Sequence, residues 1–142
     1  MSEHVPPVEP GVRVRAIVAA HGDLAAGLLS AVRAVTGQEA IFRPLTNTGL
    51  DRVALETLLR AAVLESGARV VFTDLPGGSW TLAARRLQRE FPDLMVVTGT
   101  SLPVLLDFVY SQADPASAAR QAVERGRNAL AGIEVPSTAP GA

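Results

Sequence analysis

The chain predicts an α/β domain: a small, mostly parallel sheet flanked by helices. Between proline-bearing ends, short β-branched apolar runs alternate with segments whose apolar residues recur every three or four positions, the pattern of βαβ units. Glycine or proline stands at most of the changes of period, where helices and strands stop. At 142 residues and 48% hydrophobic composition, the chain has apolar material for one full core, so one domain is expected.

The elements follow in order. Residues 1–11 hold Pro6, Pro7 and Pro10 among acidic spacers, and residues 136–142 are Pro, Ser, Thr, Gly and Ala; both read as tails around a domain at 12–135. Val12 to Ala20 is the first strand, β-branched and bounded by Gly11 and Gly22. Leu24, Leu28, Ala31, Val32 and Val35 then recur at helical spacing until Gly37 stops the helix. Ala40 to Leu45 is a short strand. Leu55, Leu58, Leu59 and Ala62 follow the i, i+3, i+4, i+7 pattern in a helix ended by Gly67. Arg69 to Thr73 is a buried strand. Trp80, Ala84, Leu87 and Phe91 line one face of the next helix, which Pro92 closes, and Leu94 to Thr98 is the fourth strand. Two more helices follow, Pro103 to Tyr110 and Pro115 to Leu130, each opened by proline. Gly132-Ile133-Glu134-Val135 is a short β-prone segment after the last helix.

Composition excludes several kinds of chemistry. The chain has no cysteine, and all 13 basic residues are arginine, so thiol catalysis, a phosphate-loop lysine and lysine Schiff bases are ruled out. A net charge of −1 and arginines that occur singly or as the pair Arg85-Arg86 argue against nucleic acid as a partner. No apolar run approaches the ~20 residues of a membrane helix, and no basic-then-apolar leader opens the chain. The reading is a soluble, cytoplasmic protein. His4 and His21 are too far apart, without a supporting ligand cluster, to build a metal site, and no cofactor is implied. A dinucleotide fold lacks its G-x-G-x-x-G after the first strand. A receiver phosphorylated on Asp74 lacks the acidic pair and the lysine it needs.

What remains sits in the loops at the carboxyl ends of three strands, where open α/β sheets keep their sites. These are Ala20-His21-Gly22-Asp23, Thr73-Asp74-Leu75-Pro76-Gly77-Gly78-Ser79 and Gly99-Thr100-Ser101-Leu102-Pro103. A neutral imidazole attacks phosphorus with one nitrogen when the other donates its proton to a carboxylate, which fixes the tautomer and balances the charge that develops on the ring. Asp74 is the candidate carboxylate for His21. Gly77 and Gly78 would turn backbone N–H groups toward an anion, and a helix starting at Ser79 would point its positive end the same way. Each residue also has a plainer reading. Asp74 would cap a turn, the glycines would merely allow it, Ser79 would be an N-cap, Asp23 would cap the helix after His21, and Trp80 would be packing.

From about Val14 to about Leu130 the chain resembles the mannose-type enzyme IIA domains of the bacterial phosphoenolpyruvate-dependent sugar phosphotransferase system. The likeness is carried by Ala16-Ile17-Val18-Ala19-Ala20-His21-Gly22, by Phe72-Thr73-Asp74-Leu75-Pro76-Gly77-Gly78-Ser79 leading into Ala83-Ala84-Arg85, and by Val97-Thr98-Gly99-Thr100-Ser101-Leu102-Pro103-Val104-Leu105. The resemblance implies that His21 accepts a phosphoryl group from the carrier HPr and passes it to a IIB domain, which serves sugar uptake by a membrane IIC/IID complex. It further implies that Asp74 supports His21, that Gly77, Gly78 and Ser79 contact the phosphoryl group, and that the protein is a homodimer exchanging a C-terminal edge strand. The chain departs from the family pattern at Pro76, where an aromatic residue is usual, at Trp80, where proline is common, at Ser101, where asparagine is frequent, and in the loop Thr46-Asn47-Thr48-Gly49. Two other readings keep the same fold: a regulatory IIA-like interaction protein not coupled to transport, and a phosphocarrier for a dihydroxyacetone kinase.

Overall fold

The computed structural model describes residues 12–136. The expected tail at 1–11, with His4, and the end of the other at 137–142 lie outside the described residues. The elements are β1 (Ala16–Ala20), α1 (Leu24–Thr36), β2 (Phe42–Thr46), α2 (Arg52–Ser66), β3 (Val70–Thr73), α3 (Ser79–Leu87), β4 (Met95–Val97), α4 (Leu102–Tyr110) and α5 (Pro115–Ala129). A 3₁₀ turn at Glu39–Ile41 leads into β2. All four strands are parallel in the order β2-β1-β3-β4. The α/β class, the parallel sheet and the order of helices and strands are those the sequence predicts.

β1 is central and buried along its whole length, which is why it reads as a continuous apolar run rather than an alternating one. Its residues still alternate between two cores. Ala16, Val18 and Ala20 face a cluster with α1, α4 and α5, where Phe42, Phe72 and Phe108 pack with ring centroids 5.2 to 6.2 Å apart. Ile17 and Ala19 face α2 and α3, with Leu55, Leu59, Trp80 and Leu87. β2 tolerates Pro44 because it is an edge strand, where one side of the backbone needs no ladder donor. After α2 the chain crosses from one side of β1 to the other. The gap between the carboxyl ends of β1 and β3 is therefore the switch point of the sheet, the customary position of a site.

Several boundaries and faces differ from the sequence reading. Residues 12–15 precede the strand instead of beginning it: the Arg15 guanidinium donates to the Phe108 carbonyl at 3.2 Å and lies 4.5 Å over the Phe108 ring, tying this segment to α4. The inward face of α1 is Ala25, Leu29 and Val32, whereas Leu24 and Val35 are exposed. Leu24 lies about 100° around the helix from Ala25, off the stripe that meets the sheet. In α2, Val63 is inside and Leu58 is at the surface. Gly132–Val135 forms no strand among the described residues, with Ile133 and Val135 both almost fully exposed, because none of the other described residues covers them.

Candidate functional site

His21 is the first residue beyond β1 and Asp74 the first beyond β3, so the switch point brings together two side chains 53 positions apart. One carboxylate oxygen of Asp74, Oδ2, accepts twice from the same residue: from the His21 backbone N–H at 2.9 Å and from ring Nδ1 at 2.8 Å. A carboxylate only accepts, so Nδ1 carries a proton, and in the neutral ring the lone pair is then on Nε2. The His21 side chain is 41% exposed and that of Asp74 only 9%. Nε2 has no hydrogen-bond partner among the described residues and is not sealed from solvent. Burial on its own raises the Asp74 pKa, but the hydrogen bonds from His21 outweigh it and hold the carboxyl below its ordinary value. Asp74 Oδ1 and the hydroxyl of Thr100 are buried without hydrogen-bond partners among the described residues.

Gly78 supports the ring from below. A Cβ built on it would stand 3.3 Å from His21 Cε1 and 3.2 Å from Leu75 Cβ, so any side chain there would press on the imidazole and on Leu75. Its backbone, at φ −77° and ψ 167°, is available to any residue, and Gly77 is not left-handed either. The glycine pair is thus not needed to make the turn: Gly78 answers to a close approach, and at Gly77 a Cβ would meet nothing. Ser79 is the first residue of α3, so Gly78 and not Ser79 is the N-cap; the serine hydroxyl is exposed and makes no hydrogen bond among the described residues. The first turn of α3 has no side-chain cap, which leaves donors for an anion. Asp23 makes no capping bond to α1.

Other residues hold the loops in register. The Gly22 N–H donates to Asn47 Oδ1 at 3.2 Å, and its carbonyl accepts from Thr46 Oγ1 at 2.8 Å, with Gly22 itself at φ +57°, a conformation that favours glycine. The Trp80 indole N–H donates to the Ala20 carbonyl at 3.2 Å. Buried Thr81 donates to the Leu75 carbonyl at 2.6 Å and lies 2.6 Å from the Thr73 hydroxyl. The third loop joins through the Thr100 N–H, 3.1 Å from the Thr73 carbonyl. Sequence reasoning brought His21 and Asp74 together but missed Thr46, Asn47 and Trp80 as supports. Only Asn47 carried a readable signal, its place just past the carboxyl end of a strand beside β1. Among the described residues no group of three or more His, Asp or Glu is placed to hold a metal, and no helix is long and apolar enough to cross a membrane.

The model of the EIIA-man family, described as the fructose IIA component of the phosphotransferase system, matches residues 15–124. The chain belongs to the EIIA-man family. It is 36% identical over 103 residues to the sorbose-specific EIIA component of Klebsiella pneumoniae, a match that covers 70% of this chain and 75% of that protein. The fold is that of an EIIA component from Streptococcus agalactiae, with TM-score 0.75 at 20% identity, covering 83% of this chain and 95% of that one. It is equally that of the mannose/sorbose-specific IIA subunit from Enterococcus faecalis, with TM-score 0.75 at 22% identity, covering 89% and 99%. At such identities these two likenesses bear on the fold alone. As an EIIA-man member the chain is a phosphotransferase-system component of the mannose/sorbose type, with phosphotransferase activity in the general sense of that system.

Proposed function

We propose that the protein is a histidine phosphocarrier that accepts a phosphoryl group from HPr on Nε2 of His21 and passes it to a IIB domain, which serves a membrane IIC/IID complex in coupled sugar uptake. The observation that carries this is the double hold of Asp74 on His21, which leaves a lone pair on an accessible nitrogen. In the forward step the Nε2 lone pair forms the N–P bond while the bond from phosphorus to the donor breaks and its electron pair leaves with the donor. The Nδ1 proton stays in place. The ring gains a positive charge that the Asp74 carboxylate balances. In the return step the acceptor's nucleophile attacks phosphorus, the N–P bond breaks, and the ring is neutral again. Gly77 and Ser79 offer backbone N–H groups, and Ser79 its hydroxyl, to the phosphoryl oxygens at the start of α3, while Gly78, whose own N–H goes to the Leu75 carbonyl, serves the phosphoryl site by leaving room for the ring. The protein acts in the cytoplasm.

Incubation with phosphoenolpyruvate, enzyme I and HPr is expected to add one phosphate, labile in acid and stable in base, as a phosphoramidate is. His21→Ala removes it. Labelling that survives in this variant, or a phosphate stable in acid, refutes the assignment.

The assembly is a homodimer in which Gly132–Val135 pairs antiparallel with an edge of the neighbour's sheet. Exposed Leu130, Ile133 and Val135 support this, as does the unpaired edge of β4, which borders a groove of about 500 Å³ lined by Val96, Thr98, Val104, Val123 and Leu130. The other edge, β2, carries Pro44 and lacks a donor there.

A further inference from the structure

The peptide group joining Ala20 to His21 is bonded at both ends. Its N–H goes to Asp74 Oδ2 at 2.9 Å, and its carbonyl accepts from the Trp80 indole at 3.2 Å. A planar peptide fixed on both sides cannot rotate without losing one of the two bonds. The next two peptides are held by Asn47, through the Gly22 N–H, and by Thr46, through the Gly22 carbonyl, both at the solvent-facing end of β2, whereas Trp80 is fully buried, where a hydrogen bond competes least with water. Trp80 stands two residues after Gly78, so the first turn of α3 both clears room for the ring and holds the backbone from which the ring projects. Its own place is set by packing with Ile17, Ala19, Ala83 and Ala84 in the core beneath the sheet.

We propose that Trp80 is a positioning residue for His21: through the Ala20 carbonyl it fixes the peptide that aims the imidazole at Asp74 and at the incoming phosphorus. A buried indole needs some acceptor, and the plain alternative is that Ala20 merely satisfies it. The two differ in what happens to His21 when the N–H alone is removed. The kinetic half of the proposal rests on His21 as phosphoacceptor; the geometric half does not.

Trp80 is the one tryptophan in the chain, so biosynthetic replacement of tryptophan by its benzothienyl isostere changes only this residue, keeping size and apolarity and deleting the donor. Trp80→Phe serves as a second variant. Three things are measured: the ¹⁵N signals of the His21 ring with solvent exchange of its backbone amide, single-turnover phosphorylation by phosphorylated HPr, and thermal melting. With the isostere, the ring is expected to lose its single Nδ1–H tautomer, the His21 amide to exchange at least tenfold faster, and transfer to slow roughly five- to thirtyfold, as a displacement of a fraction of an ångström at a reacting atom implies, with little change in melting. Unchanged ring and amide signals overturn the proposal, and so does a transfer rate within twofold of the unmodified protein. If the unmodified protein accepts nothing from HPr, the phosphocarrier reading fails, and Trp80 is then judged on the ring and amide signals alone.

Discussion

Replacing Gly78 by alanine separates the site from the turn that carries it. The backbone there suits alanine, so the substitution gains about 0.4–1 kcal/mol by restricting the unfolded chain. Against this stand contacts of 3.2 Å to Leu75 Cβ and 3.3 Å to His21 Cε1, both inside the optimum of about 3.5–4.0 Å between carbons. Leu75 Cβ is tied to a backbone closed by the Gly78 N–H to Leu75 carbonyl bond at 3.1 Å, so the half-exposed ring is the part that yields. Mild overpacking costs about 1 kcal/mol, and net stability should stay within about 1 kcal/mol of wild type. Transfer should not be spared. Cε1 is bonded to both ring nitrogens, and if a 1 Å misplacement costs about a hundredfold, a shift of about 0.3 Å slows phosphorylation roughly three- to tenfold. Gly77→Ala, one residue away, keeps its backbone N–H and adds a methyl that meets nothing within 4 Å, so it should transfer within about twofold of wild type. Rapid-quench transfer from phosphorylated HPr, read beside thermal melts, makes the comparison. If Gly78→Ala transfers normally, or Gly77→Ala is impaired as much, the clearance beneath the ring is not what the site requires.

Asp74→Asn keeps the shape but not the charge, and phosphorylation of His21 should slow by about tenfold or more with little loss of thermal stability; a variant that transfers normally but melts early would make Asp74 a turn-former. Because folding lowers the Asp74 pKa from its ordinary 3.8, its contribution to stability is complete above that value and is lost as pH falls through the lowered one; acid melts of Asp74→Asn should lack this part of the wild-type decline. At Gly126, an added Cβ would clash with Val104 Cγ2 between α5 and α4, so Gly126→Ala should destabilise by about 1–3 kcal/mol in denaturant titrations despite its better helix propensity. Truncation after Leu130 should turn the dimer into a monomer by light scattering; a truncated chain as dimeric as the full one, or a full chain monomeric at micromolar concentration, removes the strand exchange.

The parts of this fold that were legible in sequence are those fixed by local patterning. β1 and β3 are buried on both faces, so their apolar runs are unbroken, and Gly37 and Gly67 end their helices in left-handed conformations as their positions suggest. Faces were less legible than elements: Leu24 and Val35 fit a helical repeat yet lie off the stripe that meets the sheet, because a repeat gives a period and leaves its phase to tertiary contact. The pairing of His21 with Asp74 was readable because both end a central strand. The work of Trp80 was not, since nothing local shows that an indole will reach the carbonyl of a residue 60 positions earlier. Nor does sequence tell a glycine needed for a turn from one needed for clearance, which is the difference between Gly77 and Gly78.

The half-open setting of His21 bears on how long a charged carrier lasts. Among the described residues no segment covers Nε2, so on the proposed phosphocarrier role encounter with a partner would be limited by diffusion and surface fit. The same openness admits water. A phosphoryl group on that nitrogen would stand in solvent between donor and acceptor, and its survival would depend on the intrinsic sluggishness of N–P hydrolysis and on how soon the next protein arrives. A carrier built this way keeps its group by rapid hand-over, and the lifetime of the phosphorylated form in the absence of partners is the quantity on which that strategy depends.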